Sequence, residues 1–380
     1  MKSRVVVTGG AGFIGQRVVR KLLNAAYPVT VLDNFNPQIH GKEQDLPEDI
    51  RGDVRLIRGD VQDANAWKDA MDSARIVVHL AAETGTGQSM YEVSRYERVN
   101  ISGTSNLYQM LAGNQRLQIE RVVIASSRAV YGEGAYLCPE HGTVYPRSRT
   151  RSEKQMGIFD PCCPLCGRDA EAIPTKEDAP FRPLSFYALT KQAQEQTAIL
   201  FGNTLGIPTF ALRYQNVYGP GQSLKNPYTG ILAVFSNLAR AGRDLNVFED
   251  GFESRDFVFV DDVVEATVQC IERTDAGTHV MNVGSGQKTT ILEIAHAINQ
   301  FFGNKSQVHI SKQFRDGDIR HAIADLAKVR SSIGFGPKWK FEDGLKQFLI
   351  WAESLKPVED LYERSISEMK ERNLLHTASS

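Results

Sequence analysis

The sequence predicts an α/β protein: a doubly wound parallel sheet joined to a smaller mixed α/β lobe. The first observation is that short apolar strands alternate with amphipathic helices up to about residue 215, as in sheets whose crossover helices cover both faces. The second is a glycine-rich turn between the first strand and the first helix. The third is a more mixed pattern afterwards. We therefore divide the chain into 1–215, 216–350 and a helical and polar tail at 351–380, with a cysteine-rich loop inserted at 133–183.

The glycine-rich turn follows the apolar strand Arg4–Val7 and has glycines at positions 9, 12 and 15. Glycine permits a tight turn and a close approach of the backbone to a pyrophosphate. The next helix is predicted from Phe13 to Ala26, and the amides at its start attract the phosphates. The second strand ends at Asp33, whose carboxylate accepts from both ribose hydroxyls and repels a 2′-phosphate. The turn therefore predicts NAD rather than NADP. The alternative is a structural strand–turn–helix with an incidental acid.

Two further strands end at the same predicted edge of the sheet. Leu56–Val61 carries Asp60, which we expect to meet the adenine amino group, and Ile76–Ala82 ends in small residues that let the chain pass close to a cofactor. His79 lies inside the latter strand, where a hydrogen-bonded core histidine is favoured over a catalytic one.

A phenol and an ammonium lie four positions apart on a predicted helix, at Tyr187 and Lys191. The lysine and a positively charged nicotinamide would lower the pKa of the phenol, which can then take a proton from an alcohol. A fifth strand, Arg121–Ala125, leads to Ser127, at the sheet edge where ligands of such folds bind. We predict Ser127, Tyr187 and Lys191 as catalytic residues for hydride chemistry on a hydroxyl group. The alternative for the helical pair is an ordinary exposed i, i+4 contact.

In these motifs the chain resembles the extended short-chain dehydrogenases/reductases, specifically the NAD-dependent nucleotide-sugar epimerase/dehydratase family with its Rossmann-type sheet. The resemblance spans about residues 3–350 and rests further on segments 100–104, 127–132, 212–220, 255–262 and 315–318. It implies the same catalytic triad. It also implies cofactor contacts at Gly9, Gly12, Phe13, Ile14, Gly15, Asp33, Asn34, Asp60, Val61, Leu80, Ala81, Ala82, Asn100, Tyr187 and Lys191.

The same resemblance implies contacts with a nucleotide-diphosphate sugar at Asn216, Arg255, Arg315 and Asp318. A diphosphate suits guanidinium groups, which donate charge-assisted hydrogen bonds. The alternative for the arginines is a surface salt bridge with a neighbouring aspartate, Asp256 or Asp316. The resemblance further implies that the chain passes between the lobes more than once. It also implies a homodimer in which helices 93–112 and 184–201 pair.

The residues after Ser127 distinguish the reactions of this family. By the resemblance, sugar 4,6-dehydratases have an Asp–Glu pair at these positions, which expels water from the hexose, and decarboxylating relatives have an acid there. This chain has Arg128 and Ala129 instead. Neither side chain can act as the acid or base of that step. A 4-epimerase, an isomerase that works through a 4-keto intermediate, is therefore expected. Alternatives are a net dehydrogenase or reductase, another epimerase of the family, or a catalytically silent NAD-sensing protein. Arg128 either contacts substrate or reaches solvent, and we include it among the predicted substrate contacts.

The inserted loop contains Cys138-x-x-His141 and Cys163-x-x-Cys166, a ligand set that tetrahedral zinc takes. A loop with so little apolar content gains a fold from a metal cross-link, so we predict a structural zinc that shapes a lid over the sugar site. Cys162 is the substitute ligand, and reduced thiols in a disordered loop or a redox pair are the alternatives. The loop also resembles that of family members acting on a dTDP-linked 6-deoxyhexose such as dTDP-L-rhamnose.

Charge and hydropathy exclude some classes of partner. The 380 residues carry a formal net charge of -1 with both signs interspersed, which argues against nucleic acid as a partner. No apolar stretch approaches the length of a membrane span, and the first residues lead directly into a strand that the fold needs. We expect a cytoplasmic enzyme without a membrane partner.

Overall fold

A computed structural model describes residues 2–41, 45–114, 116–224, 230–356 and 362–379. Its strands in chain order are β1 Arg4–Thr8, β2 Val29–Asp33, β3 Val54–Arg58, β4 Ala74–His79, β5 Arg121–Ser127, β6 Tyr136–Cys138, β7 Gly142–Val144, β8 Glu171–Ala172, β9 Thr209–Tyr214, β10 Asn216–Tyr218, β11 Leu245–Val247, β12 Ser254–Arg255, β13 Phe257–Phe259, β14 Thr278–Val283, β15 Thr289–Thr290, β16 Val308–Ile310, β17 Gln313–Arg315 and β18 Leu375–Thr377.

The helices cover both faces of the sheet and fill the smaller lobe. They are α1 Phe13–Asn24, α2 Pro37–His40, α3 Glu48–Arg51, α4 Ala64–Ala70, α5 Thr86–Ser89, α6 Val93–Tyr96, α7 Gly103–Gly113, α8 Arg151–Gln155, α9 Phe186–Leu205, α10 Ile231–Arg240, α11 Val260–Glu272, α12 Ile291–Phe301, α13 Ala327–Ile333, α14 Phe341–Ser354 and α15 Tyr362–Glu371. No helix within the described ranges has the length and apolarity that crossing a membrane requires.

A seven-stranded sheet in the order β14-β9-β5-β4-β1-β2-β3 forms the centre of the molecule, and all its pairings are parallel. Apolar side chains of α1 and α11 pack on one face, and those of α4, α7 and α9 on the other. Strands buried on both faces need continuous apolar runs, and Val5, Val6 and Val7 of β1 are accordingly 0% exposed. The predicted doubly wound sheet is confirmed.

The smaller lobe is built from short paired strands and the helices α10 and α12. Strand β10 pairs with β13, β11 with β16, and β12 with β15. The lobe shares one apolar core with the sheet face covered by α1 and α11. Because β14 belongs to the central sheet although it follows the first strands of the lobe, the two halves are interleaved along the chain, as the resemblance implied.

Two predicted helices differ from the structure. The one predicted over 93–112 is divided, since a π-helical segment, Glu97–Ser102, separates α6 from α7. The tail at 351–380, predicted as helical and polar, contains the end of α14 and the separate helix α15, and residues 357–361 lie outside the described residues. The tail then returns as β18, which pairs antiparallel with β17. Its end is therefore part of the smaller lobe.

The insertion at 133–183 has its own small antiparallel sheet, in the order β7-β6-β8. Its apolar contacts are few and centre on Tyr136, Val144 and the buried Cys138 and Cys163. Its ends lie side by side, because the amide of Ile173 donates to the carbonyl of Ala135. The insertion therefore leaves the main fold and returns to it at nearly the same place.

Candidate active site

A cavity of about 1050 Å³ lies between the sheet and the smaller lobe. It opens beyond the carboxyl ends of β1, β2, β4, β5 and β9, where ligands of open parallel sheets bind. Of the residues predicted to contact cofactor, substrate or the reacting atoms, all but Asn100 line it. One space therefore brings together the glycine turn, the Tyr187–Lys191 pair and the predicted sugar-nucleotide contacts.

The glycine turn has no room for side chains. At Gly9, where φ is +67°, an added Cβ would lie 2.8 Å from the backbone nitrogen of Ala81. At Gly15 an added Cβ would lie 2.1 Å from the carbonyl oxygen of Gly9. The turn is therefore pressed against the end of β4 and against the start of α1, and it leaves its backbone open towards the cavity. This cradle fits the pyrophosphate of a dinucleotide.

Acidic groups follow β2 and β3 as predicted. The carboxylate of Asp33 accepts hydrogen bonds from the amides of Ala11, at 3.0 Å, and Phe35, at 2.9 Å. Each carboxylate oxygen can accept a further bond, so Asp33 can still receive ribose hydroxyls. The Asn34 side chain donates to Asp60 at 2.7 Å, which joins the two strand ends at the cavity wall. This arrangement fits the adenosine half of NAD.

Asn100 requires a correction. It is 0% exposed and does not line the cavity. Its side-chain amide donates to the carbonyl of Glu83 at 3.0 Å and to the Thr190 hydroxyl at 2.9 Å, and its oxygen accepts from the Glu83 amide at 2.8 Å. The π-helical segment that carries it directs it towards the loop after β4. Asn100 thus fixes that loop against α9 and does not touch a ligand in the cavity.

The predicted catalytic residues come together where β5 ends and α9 begins. Ser127 is the last residue of β5, and its hydroxyl accepts a bond from the Ala129 amide at 3.2 Å. Ser185 caps α9, and one turn of this helix separates Tyr187 from Lys191. The ammonium of Lys191 donates to the carbonyl of Ala125 at 3.0 Å. Helix α9 packs on β5, which holds the phenol and the ammonium at one end of the cavity.

The charges around the phenol differ in part from the expectation. Burial raises the pKa of Tyr187, while the Ser127 hydroxyl and the Arg128 guanidinium lower it. Burial lowers the pKa of Lys191 to about 7. Ser127 and Arg128 are thus groups of the chain itself that favour the phenolate.

His79 is a core residue, as predicted. It is 1% exposed, and its ring nitrogens meet the hydroxyls of Thr8 at 2.7 Å and Thr104 at 3.1 Å. Burial, together with the charge of Lys191, lowers its pKa to about 3. A histidine that stays neutral at every physiological pH has no part in proton transfer here.

Arg128 faces the cavity and not the solvent. Its Nε donates to the side-chain oxygen of Asn216 at 3.1 Å, and burial together with the nearby guanidinium of Arg255 lowers its pKa to about 10. Two guanidinium groups brought together at one wall repel each other unless an anion lies between them. The pair therefore suits an anion such as a diphosphate.

The other predicted substrate contacts lie on neighbouring loops. Arg255 donates to the carbonyls of Ile319 at 2.9 Å and Arg320 at 3.1 Å. Arg315 donates to Asp318 at 2.8 Å. Burial opposes ionisation of Asp318, but the charges of Arg315 and Arg255 lower its pKa overall.

Neither Arg255 nor Arg315 forms the surface salt bridge with Asp256 or Asp316 that was the alternative. Asp256 is buried and accepts bonds from the amides of Ser285 and Gly286. Asp316 pairs instead with Arg151 of the insertion, at 2.5 Å. The guanidinium groups of Arg255 and Arg315 therefore belong to the cavity wall.

Several cavity residues were not predicted. Glu253 lies two residues before Arg255, is 7% exposed, and one of its carboxylate oxygens has no hydrogen-bond partner. Burial, with Glu249 nearby, raises its pKa to about 7. The tail adds Tyr362, Ser365, Ile366 and Met369 to the wall. The closeness of Glu253 to Arg255 in the sequence could have identified this acid as a cavity residue. No local sequence pattern indicates that the tail reaches the cavity.

The four predicted metal ligands lie together in the insertion. Their ligand atoms all lie within 4.8 Å of one another. The Cys138 sulfur is 3.7 Å from that of Cys166 and 3.6 Å from Nδ1 of His141, which is 3.7 Å from the Cys163 sulfur. Cys162 is exposed and stands outside the cluster. Three thiols and an imidazole at such spacing fit a tetrahedral zinc ion.

The insertion does not cover the sugar site as expected. None of its residues, 133–183, lines the cavity. It packs instead against the outer side of the loop that carries Arg315 and Asp318, through the Arg151–Asp316 pair and a bond from Lys154 to the carbonyl of Arg315. The predicted lid is therefore wrong, and the insertion supports the cavity wall from behind.

The chain is similar to known nucleotide-sugar epimerases over most of its length. The model of the "NAD dependent epimerase/dehydratase family" matches residues 5–158 and 162–284. The chain is 40% identical over 352 residues to a dTDP-L-rhamnose 4-epimerase from Burkholderia thailandensis, covering 92% of this chain and 94% of that protein. A solved UDP-glucose 4-epimerase from Thermotoga maritima with UDP-glucose superposes with a TM-score of 0.74 at 26% identity, covering 92% and 98% of the two chains.

A second solved structure, the UDP-glucose 4-epimerase of Thermus thermophilus in complex with NAD, superposes with a TM-score of 0.71 at 27% identity and covers 93% of this chain and 100% of that one. The relative and the two solved structures each match more than nine-tenths of this chain. The chain belongs to the NAD dependent epimerase/dehydratase family.

Proposed function

We propose that this chain is an NAD-dependent nucleotide-sugar 4-epimerase, an isomerase that inverts carbon 4 of the sugar. The observation that carries the proposal is that Ser127 and Tyr187 share one cavity with the glycine turn and with the arginine-bearing wall. The cavity, about 1050 Å³, exceeds the about 300–1,000 Å³ of a common small-molecule site and suits a dinucleotide beside a sugar nucleotide. The similarity to 4-epimerases supports the same reaction.

The residues of the cavity supply binding and proton transfer. NAD held by the glycine turn and Asp33 would supply hydride transfer, taking a hydride from carbon 4 of the sugar and returning it to the opposite face. Tyr187 takes the proton of the 4-hydroxyl and gives it back, and Ser127 holds the same oxygen by a hydrogen bond. Because burial works against the phenolate, the nearby charge of Arg128 matters for its formation. Lys191 anchors the phenol's helix to β5 through Ala125 and lies within reach of the cofactor.

The arginine-bearing wall holds the diphosphate in this proposal. Arg128, Arg255 and Arg315 offer guanidinium groups, and Asp318 and Asn216 accept or donate hydrogen bonds beside them. We infer a dTDP-linked 6-deoxyhexose such as dTDP-L-rhamnose as substrate. The 40% identity to a dTDP-L-rhamnose 4-epimerase over almost the whole chain supports it.

The test is incubation of the purified protein with a panel of dTDP-, UDP-, GDP- and CDP-linked hexoses and 6-deoxyhexoses, without added cofactor, while the sugar protons are followed by NMR. A pair of epimers that approaches one equilibrium from both sides supports the proposal and identifies the substrate. Conversion that needs stoichiometric NAD or NADH indicates a net dehydrogenase or reductase. Bound NAD without conversion of any sugar indicates an NAD-sensing protein.

We also propose that Cys138, His141, Cys163 and Cys166 bind one structural zinc ion. Four protein ligands close the coordination shell, so this metal would hold the insertion together without touching substrate. Zinc needs reduced thiols, which supports a cytoplasmic location for the enzyme.

A homodimer is a further part of the proposal. Helices α6 and α9 expose apolar side chains, with Val93 at 44%, Leu189 at 45% and Leu200 at 62% exposure. Pairing of these helices between two copies would remove these groups from water. Light scattering after size-exclusion chromatography tests this, and a monomeric mass at micromolar concentration would contradict it.

A further inference from the structure

The insertion contacts both loops that carry the cavity arginines. Its residue Arg149 is 6% exposed and donates to Glu249 at 2.7 Å and to Glu133 at 3.2 Å. A third bond runs from Arg149 to the carbonyl of Asp318, at 3.0 Å. One buried guanidinium from the insertion thus holds the backbone next to a predicted substrate contact.

A second buried guanidinium completes this network. Arg320 is 1% exposed and donates to Asp250 at 2.6 Å and to Asp160 at 2.8 Å. Its amide donates to Glu133 at 2.7 Å, and its carbonyl accepts from Arg255 at 3.1 Å. The insertion is therefore linked through Arg320 to the guanidinium of Arg255.

A third contact comes from Lys154 of α8. Its ammonium, 3% exposed at the side chain, donates to the carbonyl of Arg315 at 2.8 Å and lies 4.8 Å from the centre of the Phe314 ring. Lys154 shares no hydrogen bond with Arg149, Glu133 or Glu249, although the charges of Arg149 and Glu249 act on it. Two buried cations of the insertion thus hold the loop 315–320 at two points.

We propose that the insertion positions the nucleotide-diphosphate loop, with Arg149 and Lys154 as positioning residues. The inference rests on the proposed function, since it assigns the loop 315–320 to the nucleotide diphosphate. Neither residue lines the cavity, so both act through the backbone of Arg315 and Asp318. Bonds from a charged donor to a buried carbonyl fix a loop more strongly than neutral bonds do. Their loss would therefore weaken nucleotide binding while the NAD site at the far end of the cavity stays intact.

The experiment uses the full chain and two near-isosteric variants, Arg149→Met and Lys154→Met. The exposed residues Arg168 and Lys176 of the same insertion provide matched controls, Arg168→Met and Lys176→Met. Calorimetric titration with dTDP and UDP gives the nucleotide dissociation constant. The NAD content of the purified protein, KM and kcat complete the readout.

We expect the nucleotide dissociation constant of each positioning variant to rise about tenfold. This change corresponds to the net free energy of about one hydrogen bond to a charged group. KM should rise by a similar factor, with kcat, NAD content and both controls unchanged. Loss of kcat and NAD content together with nucleotide affinity would instead indicate general damage to the fold and overturn the proposal. Arg149→Met removes the cation that pairs with buried Glu133 and leaves Glu249 with Arg320 alone, so this variant can fail to fold. Lys154→Met removes a cation 4.0 Å from Asp316, but that half-buried carboxylate keeps its pair with Arg151, so this variant decides the question.

The two possible failures are distinguishable. If the wild-type protein binds neither dTDP nor UDP, the proposed function falls and this inference falls with it. If the wild type binds a nucleotide and Lys154→Met binds it equally well, only the inference is wrong.

Discussion

The distances between the ligand atoms of the cysteine cluster predict that it binds zinc. Zinc–sulfur bonds of about 2.3 Å and zinc–nitrogen bonds of about 2.0–2.1 Å, at tetrahedral angles, separate two sulfurs by about 3.8 Å and a sulfur from a nitrogen by about 3.6 Å. The structure has 3.7 Å between the sulfurs of Cys138 and Cys166, and 3.6 and 3.7 Å from Nδ1 of His141 to the sulfurs of Cys138 and Cys163. Three of the six distances among the ligand atoms thus already match tetrahedral zinc, and all four atoms lie within 4.8 Å of one another.

The adjacent cysteines provide a matched pair of variants. Cys163→Ser removes a ligand and should lower zinc content from about one ion per chain to a small fraction, since losing even an outer hydrogen-bond partner costs about 10- to 100-fold in affinity. Cys162→Ser changes an exposed thiol outside the cluster and should keep the full content. Elemental analysis of protein purified under reducing conditions gives the stoichiometry, and X-ray absorption gives the ligand set of three sulfurs and one nitrogen.

The reasoning is refuted if wild-type protein from zinc-supplemented cultures carries far less than one ion per chain. It is equally refuted if the two variants retain the same amount of zinc. A shell containing more oxygen than sulfur would show that the thiols are not the ligands.

Four other outcomes are expected. Tyr187→Phe should lower kcat by about 10²–10⁴-fold with NAD content unchanged, and an unchanged rate would exclude the phenol as base. Gly15→Ala should abolish NAD retention, because its Cβ would meet a backbone oxygen at 2.1 Å, whereas Gly113→Ala, with nothing within 4 Å, should keep it. The pKa of Glu253 is raised to about 7, so its carboxyl is neutral below this pH and repels a diphosphate above it. KM measured between about pH 6 and about pH 8 should therefore rise with pH, and Glu253→Gln should flatten that rise. Deleting 362–379 should raise KM while NAD stays bound, since this segment lines the cavity and its Tyr362 lies near Arg315, a predicted substrate contact.

The parts predictable from the sequence are those with a local signal. The glycine turn, Asp33 and the pair on α9 are short motifs whose position at the carboxyl ends of the strands follows from the parallel sheet. The metal ligands were predictable because zinc demands particular residue types at short spacing. The structure places Cys163, and not its neighbour Cys162, in the cluster, which spacing alone left open.

The parts that could not be predicted depend on distant contacts. Arg149 and Lys154 lie in a polar segment, where charged residues are usually solvated, and only the fold buries them against residues more than 90 positions away. Asn100 occurs in a family motif, but a π-helical segment turns it away from the cavity. The tail reaches the cavity because β18 pairs with β17, a pairing that no periodicity reveals.

The place of β14 in the central sheet has a consequence for how the chain is synthesised. Strand β9 ends at Tyr214, but its outer neighbour β14 is complete only at Val283. Until then a nascent chain presents an unpaired, apolar parallel edge, the kind of surface on which chains aggregate. Expression of residues 1–215 alone should accordingly yield insoluble protein, and the shortest fragment worth producing must extend past the last residue of β14.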